Sequence, residues 1–185
     1  AQIGNDPENA GHFDVIGATD TIDNLTLGRE STLTLDGSTN ITALAVNGAS
    51  SIGSYAVDGF PNGTGTLNIQ GDAEFKYDTA RSLWIGDPAP TAGHPNNGVV
   101  NVSGGGRFRM FGTLQLATCS SAELNMTDDA LTDCNRLHMG LIDFDPCPGA
   151  DGKSARLTLS GNARLLVTHE LAVTDNLGNL TGTAT

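Results

Sequence analysis

The chain of 185 residues is rich in small and polar residues, with 24 Gly, 21 Thr and 15 Asn filling about a third of it. Charged residues make up only 16%, against ~25% in ordinary domains, and the net charge is −12. This charge argues against a nucleic-acid partner, and the scarcity of Lys, Glu and Gln argues against a helical bundle. No apolar run reaches the ~20 residues of a membrane-spanning helix. A single β-rich, acidic domain fits this composition.

An alternating pattern with small residues at fixed positions recurs along the chain. Four segments carry apolar residues at alternate positions, Gly or Asp at the fifth position and Gly or Ala at the seventh. They are Leu67-x-Ile69-x-Gly71-x-Ala73-x-Phe75-x-Tyr77, Val100-x-Val102-x-Gly104-x-Gly106-x-Phe108-x-Met110, Leu124-x-Met126-x-Asp128-x-Ala130-x-Thr132-x-Cys134 and Leu157-x-Leu159-x-Gly161-x-Ala163-x-Leu165-x-Val167. A closing pair follows each of them: Leu83/Ile85, Leu114/Leu116, Leu137/Met139 and Leu171/Val173. Alternation with period two predicts short strands with one buried face.

Weaker copies of the pattern precede these four. Leu33-x-Leu35-x-Gly37 leads to Ile41 and then to Leu44/Val46, which we interpret as the closing pair of that repeat. Leu25/Leu27 resembles the closing pair of a still earlier repeat.

Three short strands that recur in the same order predict an all-β fold, a right-handed parallel β-helix (β-solenoid) of about five to six short coils. A β-sandwich is the alternative. We assign residues 22–185 to the β-solenoid domain and residues 1–21 to an N-terminal arm or cap segment, in which His12–Ile16 supplies a strand.

The segments between repeats vary in length and contain most of the prolines. Six of the seven are Pro61, Pro88, Pro90, Pro95, Pro146 and Pro148. Because proline cannot donate a hydrogen bond to a strand ladder, these segments are expected to be loops. The spacing predicts that all loops are inserted at one corner of the coil.

Stacked repeats would place equivalent residues about 4.8 Å apart. The residue after the first apolar anchor of each repeat is Asn68, Asn101, Asn125 and then Thr158. We expect these side chains to form a polar ladder, hydrogen-bonded along the stack.

Two stretches of the sequence resemble a known class of repeat. The strings GTGTLNIQGDAEF…LWIGD and NGVVNVSGGGRFRMFGTLQLA are similar to the autotransporter-associated or PEP-CTERM-type β-strand repeats of secreted bacterial surface proteins. The resemblance runs from roughly Leu25 to Val173 and concerns strands and turns, not a catalytic motif. It implies a structural role in an adhesin, surface layer or fibre. The low Lys content and the abundance of Gly, Thr and Asn also favour a secreted, extracellular or cell-surface location.

Three cysteines are too few for a disulfide-dense scaffold and match no metal-binding spacing. Cys134 occupies an apolar position of its repeat, so we expect a buried free thiol. Cys119 and Cys147 lie in consecutive insertions, where the ~5.5 Å Cα separation of a disulfide is within reach. We predict a Cys119–Cys147 disulfide. The alternatives are three unpaired thiols and a Cys119–Cys134 pair.

The sequence offers no strong metal or catalytic site. Asp143, Asp145 and Asp151 place three carboxylates in one Pro-containing loop, and such oxygen ligands suit Ca²⁺. They match no calcium-binding motif, so a solvated acidic loop is the preferred interpretation and no cofactor is predicted. The four histidines fall in different repeats, and no neighbouring repeats pair carboxylates as a polysaccharide lyase would. We therefore predict that the protein is not an enzyme, and a lyase-like activity is the least favoured alternative.

The ends of a β-solenoid expose unpaired strand edges, which soluble versions normally cover with caps. The segment around Leu177 and Leu180 resembles the start of another coil, while Phe13 and Val15 supply apolar positions at the other end. We expect these four residues to form head-to-tail contacts between copies, giving a homopolymeric extracellular filament. The alternative is an adhesin fragment that binds surface glycans or a host protein through its loop-bearing edge, at Pro88–Asn97 and Asp143–Asp151.

Overall fold

The computed structural model describes residues 2–3, 12–28, 30–53, 63–86, 97–117, 120–140 and 154–173. The regular structure of these ranges is entirely β. The strands in chain order are β1 Gln2–Ile3, β2 His12–Ile16, β3 Thr19–Ile22, β4 Thr26–Leu27, β5 Thr32–Asp36, β6 Ala43–Val46, β7 Ser50–Ile52, β8 Thr64–Gln70, β9 Glu74–Tyr77, β10 Ser82–Ile85, β11 Asn97–Val102, β12 Arg107–Leu116, β13 Ala122–Met126, β14 Leu131–Met139, β15 Ala155–Leu159 and β16 Arg164–Val173. No described segment forms a helix with the length and apolarity that crossing a bilayer requires.

Every strand pairing is parallel, and the pairings define three ladders. Ladder I consists of β2, β5, β8, β11, β13 and β15. Ladder II consists of β3, β6, β9 and the N-terminal halves of β12, β14 and β16. Ladder III consists of β1, β4, β7, β10 and the C-terminal halves of β12, β14 and β16. The chain therefore passes through ladders I, II and III in turn and then returns to ladder I.

In-register pairing places equivalent apolar residues opposite one another. In ladder I, Leu67 lies opposite Val100, which lies opposite Leu124. All three side chains are fully buried, while the residues directly before and after each of them in its strand are only half-buried. In ladder II, the rings of Phe75 and Phe108 meet edge to face with centroids 5.6 Å apart. One apolar core thus runs between the ladders, and full burial of each large side chain contributes ~1.5–3 kcal/mol.

The corners between ladders explain the fixed small residues. The fifth-position residues of the four clear repeats all have positive φ: Gly71 (62°), Gly104 (61°), Asp128 (61°) and Gly161 (68°). Glycine adopts this conformation without steric cost, and aspartate is among the few other residues that tolerate it. At Asp128, the carboxylate Oδ2 accepts hydrogen bonds from Gly104 N–H (3.3 Å) and from the Thr127 hydroxyl (3.1 Å), which stabilises this corner.

Two details of the predicted repeat are wrong. Leu44 and Val46 lie opposite Phe75 and Tyr77, so they belong to ladder II and are not a closing pair. The closing strand is β7, in which Ile52 lies opposite Ile85. The cause is a longer corner, because residues 37–42 connect β5 to β6 where residues 71–73 suffice between β8 and β9.

The loops do not all leave from one corner, as the longer connection from β5 to β6 shows. Ile41 lies in this corner and is 83% exposed, so it is not a core residue. Strands β2 and β3, which fall almost entirely within the predicted N-terminal arm or cap segment, pair in register with β5 and β6.

A close backbone approach at Gly98 gives a test of this architecture. A Cβ atom there would lie 2.3 Å from Gly86 N and 2.3 Å from Ile52 O, which are backbone atoms of neighbouring turns. We expect Gly98→Ala to lower the free energy of unfolding by ~1–3 kcal/mol, since overpacking against backbone cannot relax cheaply. Thermal and urea unfolding would measure the loss.

Gly105→Ala is the matched control, because its Cβ would meet Oδ1 of Asp72 at 2.3 Å, and this exposed side chain has room to rotate away. The two substitutions change the unfolded chain in the same way. Equal destabilisation by both variants would contradict the backbone packing described at Gly98.

Candidate functional site

The most distinctive surface is the C-terminal edge, formed by β15 and β16, the last strands of the three ladders within the described residues. Leu171 and Val173 lie opposite Leu137 and Met139. The equivalent positions face the core in all of the preceding turns. Leu171 is 61% and Val173 56% exposed, whereas Leu137 is 0% exposed. The same type of position is uncovered here because no described strand follows β16.

The uncovered positions continue across the other two ladders. Leu159, Leu165 and Val167 are only partly buried against the core, although their counterparts one turn earlier are almost completely buried. Leu166 faces outward from β16 and is 48% exposed. Within the described residues, the C-terminal edge therefore carries uncovered apolar side chains at the end of all three ladders, which suits a strand-addition surface.

The N-terminal edge, formed by β2, β3 and β4, exposes different chemical groups. Asp20 lies opposite Leu44, which faces the core and is 6% exposed, so Asp20 occupies a core-facing position on this edge. The Asp20 carboxylate is exposed and accepts a hydrogen bond of 2.7 Å from Thr21 N–H. Asp14 and Asp23 are exposed as well, which makes this edge acidic.

The two edges differ in charge. The C-terminal edge exposes the guanidinium groups of Arg156 and Arg164 together with one carboxylate, Glu170, which lies beside Arg136 and His138, whereas the N-terminal edge exposes only carboxylates among its described charged groups. Of the four predicted contact residues, Phe13 and Val15 lie in β2 on the N-terminal edge, opposite Leu33 and Leu35. The other two, Leu177 and Leu180, lie outside the described residues.

The polar ladder lies on the outer face of ladder I. Asn101 Nδ2 donates to Asn68 Oδ1 (2.9 Å), and Asn125 Nδ2 donates to Asn101 Oδ1 (3.1 Å). Sequence reasoning missed the next member, Thr34, whose hydroxyl accepts from Asn68 Nδ2 (3.3 Å). Thr158 lies opposite Asn125, but within the described residues its side chain makes no hydrogen bond. These amides are occupied by one another, so the ladder connects strands and does not present a ligand site.

A shallow groove lies where ladders II and III meet. The register shifts there between Met110 and Thr113 and between Cys134 and Arg136, because β12 and β16 each contain one residue more than β14 at this point and form bulges. The groove has a volume of about 220 Å³ and is lined by Ala80, Phe111, Gly112, Thr113, Asn135, Arg136 and His169. Asn135 Nδ2 donates to the Phe111 carbonyl, and the Thr168 hydroxyl donates to Asn135 Oδ1 (3.1 Å), so the bulges are held by side-chain hydrogen bonds.

The sequence pattern does not predict that three charged or titratable groups beside the groove lie close together. Glu170 Oε2 lies 3.6 Å from Arg136 Nε and 3.5 Å from His138 Nε2. The Arg136–Glu170 pair is about half exposed, and such pairs contribute at most ~1 kcal/mol. The sequence contains a signal for the bulge in its spacing. Three residues separate Met110 from the closing pair Leu114/Leu116, whereas only two residues separate Cys134 from the closing pair Leu137/Met139. None of the described residues that line the groove carries a carboxylate, whereas glycoside hydrolysis uses a pair of them.

The other predicted site residues gain no support from the fold. The described residues contain no group of three or more His, Cys, Asp or Glu side chains that could hold a metal ion. The calcium candidates Asp143, Asp145 and Asp151, and the cysteines of the predicted Cys119–Cys147 disulfide, lie outside the described residues.

No known protein family, curated protein or solved structure matches this chain.

Cys134 is a free thiol in ladder II, fully buried opposite Met110, in contrast to the alternative that pairs it with Cys119. Burial, with a smaller contribution from the neighbouring Asp133 carboxylate, raises the pKa of this thiol to about 12. The reactive species of a cysteine is the thiolate, so this thiol is inert at neutral pH.

We expect Cys134 to resist alkylation at pH 8 in the folded protein and to react once the chain is unfolded, as measured by peptide mapping. Its raised pKa also makes stability pH-dependent: the contribution is full below the ordinary value of 9.0 and is lost as the pH rises towards 12. Cys134→Ala should reduce the loss of stability in this window. Part of the loss will remain, because burial also raises the pKa of Tyr77. Alkylation of the folded protein at the unfolded rate would contradict the burial of Cys134.

The amide ladder gives a second test. Asn101→Ala removes one acceptor and one donor from the centre of the ladder, and we expect a loss of ~1–2 kcal/mol in the free energy of unfolding. Thr158→Ala in the same column is the control and should cost less, since its side chain makes no hydrogen bond in the described part of the chain. Comparable losses for both variants would show that the ladder bonds contribute nothing measurable.

Proposed function

We propose that this chain is a right-handed parallel β-solenoid that serves as a structural subunit of an extracellular filament, with copies stacked head to tail. Three parallel ladders visited in a fixed order support the solenoid, because each passage through them adds one strand to every ladder. The right-handed sense follows from the strong preference of parallel strand crossovers for that hand.

The observation that carries the stacking proposal is the exposure of Leu171 and Val173 at core-facing positions. A following turn from a second copy would cover them as β16 covers Leu137 and Met139. Opposite charges on the two edges favour contact between the C-terminal edge of one copy and the N-terminal edge of the next. Such a contact uses two different surfaces, so it propagates into a filament instead of closing into a dimer.

The composition and the resemblance to bacterial surface repeats support a secreted location for this filament. The proposed role needs no cofactor, and its partners are copies of the same chain. We regard the protein as an architectural component and not as an enzyme, because the main features of the described residues, a hydrogen-bonded amide ladder and an uncovered apolar C-terminal edge, concern contacts between strands.

Surface adhesion is a second candidate function, favoured by the groove between ladders II and III. Phe111 is 52% exposed there, beside the hydrogen-bonding groups of Asn135 and Arg136. An aromatic face next to a few polar groups is a common arrangement for binding a sugar ring. The loop-bearing edge that the sequence suggested for this role lies outside the described residues, except for Asn97.

Leu171→Asp tests the filament proposal. A carboxylate at this position would have to be buried between copies, so we expect assembly to fall at least tenfold while the isolated subunit remains folded. Ile41→Asp is the matched control, since Ile41 is an exposed apolar residue in the corner between β5 and β6, outside the strands that form either edge. Sedimentation velocity and negative-stain microscopy would measure assembly.

Filaments formed equally well by Leu171→Asp, or a wild-type chain that stays monomeric under all conditions, would refute the stacking proposal. Binding of the monomeric Leu171→Asp variant to immobilised glycans would instead support the adhesion function.

A further inference from the structure

The three ladders do not contain equal numbers of strands. Within the described residues, ladders I and II each have six strands, while ladder III has seven. The additional strand is β1, which precedes the first strands of ladders I and II. A stack can continue across a junction between copies only if each ladder receives one strand per turn. Direct stacking of the described strands therefore leaves one strand too many in ladder III.

We infer that β2, β3 and β4 form the acceptor surface for β15 and β16 of a second copy, and that β1 occupies part of this surface until the incoming strand displaces it. This inference rests on the proposed head-to-tail assembly and specifies its register. The partner is a second copy of this chain, and the contact is parallel strand addition.

Continuing each ladder by one strand fixes the expected register. In ladder I, Leu157 and Leu159 of one copy come to lie opposite Phe13 and Val15 of the next. In ladder II, Val167 comes to lie opposite Ile22. In ladder III, Ala172 and Val173 come to lie opposite Thr26 and Leu27, the two residues with which β1 pairs in the single chain.

The β1 strand of one copy and the incoming β16 strand of the other thus compete for the same edge of β4. The two strands are attached to their own chains by different numbers of residue pairs. The strand β1 is held by two residue pairs, Gln2 with Thr26 and Ile3 with Leu27. The C-terminal half of β16 is fixed to β14 by four residue pairs, from Glu170 to Val173. Because a two-residue pairing at the end of a sheet opens at a low free-energy cost, β1 is the strand that yields.

Asp20 is a second obstacle on the acceptor surface. It is the only charged residue at a core-facing position of the described ladder strands, and the expected register places it opposite Leu165 of the neighbouring copy. Burying its carboxylate in the junction is costly. Inward-pointing charges of this kind protect sheet edges from unwanted pairing. The acceptor surface is therefore protected twice, by Asp20 and by β1.

The experiment compares assembly of the wild-type chain with four variants: a chain lacking residues 1–11, Ile3→Pro, Asp20→Asn and Asp23→Asn. Ile3→Pro removes a backbone donor from β1 without shortening the chain, in case the deletion impairs folding. Asp23→Asn is the control for Asp20→Asn, because it makes the same charge change on an exposed residue outside the ladders. Light scattering would give the rate and the threshold concentration, and circular dichroism would verify folding.

We expect the deletion, Ile3→Pro and Asp20→Asn each to lower the threshold concentration by about tenfold, and Asp23→Asn not to lower it, because the Asp23 charge contributes only to the attraction between unlike edges. If folded β1 variants assemble at the wild-type threshold, β1 does not occupy the acceptor surface. If Asp23→Asn lowers the threshold as strongly as Asp20→Asn, the effect is due to general charge repulsion and not to the core-facing position of Asp20. If every variant folds and none assembles, the filament proposal fails along with this inference.

Discussion

The in-register parallel pairing of strands whose partner residues lie 20 to 34 positions apart in the chain is the constraint on which the rest of the structure depends. Pairing in register repeats each side-chain position along a ladder, so an apolar residue needs an apolar neighbour above and below it. The same repetition brings Asn68, Asn101 and Asn125 close enough to share amide hydrogen bonds. It also requires the backbone to turn at matching points, which explains positive φ at Gly71, Gly104, Asp128 and Gly161.

Alternation of apolar residues was sufficient to predict the all-β class and the strands with two strong anchors. It failed where the local signal was weak. Strand β7, Ser50–Ile52, has a single large apolar residue, so Leu44/Val46 was the better match to a closing pair. Only the pairing of β6 with β9 reveals that the preceding corner is three residues longer, and such an insertion changes no local periodicity.

The candidate site was less predictable than the fold, because exposure at an edge depends on what is missing from the next layer. Leu171 and Leu137 are the same residue type at equivalent positions, yet one is 61% exposed and the other is buried. No local pattern distinguishes them. The approach of Glu170 to His138 likewise arises from a bulge that shifts the register between ladders II and III. The spacing in the sequence indicates the bulge but not which side chains it brings together.

The polarity of a parallel stack restricts how two copies can meet. A two-fold contact between identical C-terminal edges would run the strands antiparallel and would bring Arg156 and Arg164 of both copies together. Identical N-terminal edges would likewise bring Asp14, Asp20 and Asp23 of both copies together, and like charges across an interface suppress association. Contact between unlike edges preserves the parallel direction and sets guanidinium groups against carboxylates. The repetition that builds the core therefore favours continuation by another copy in one direction, with Asp20 and β1 opposing that contact.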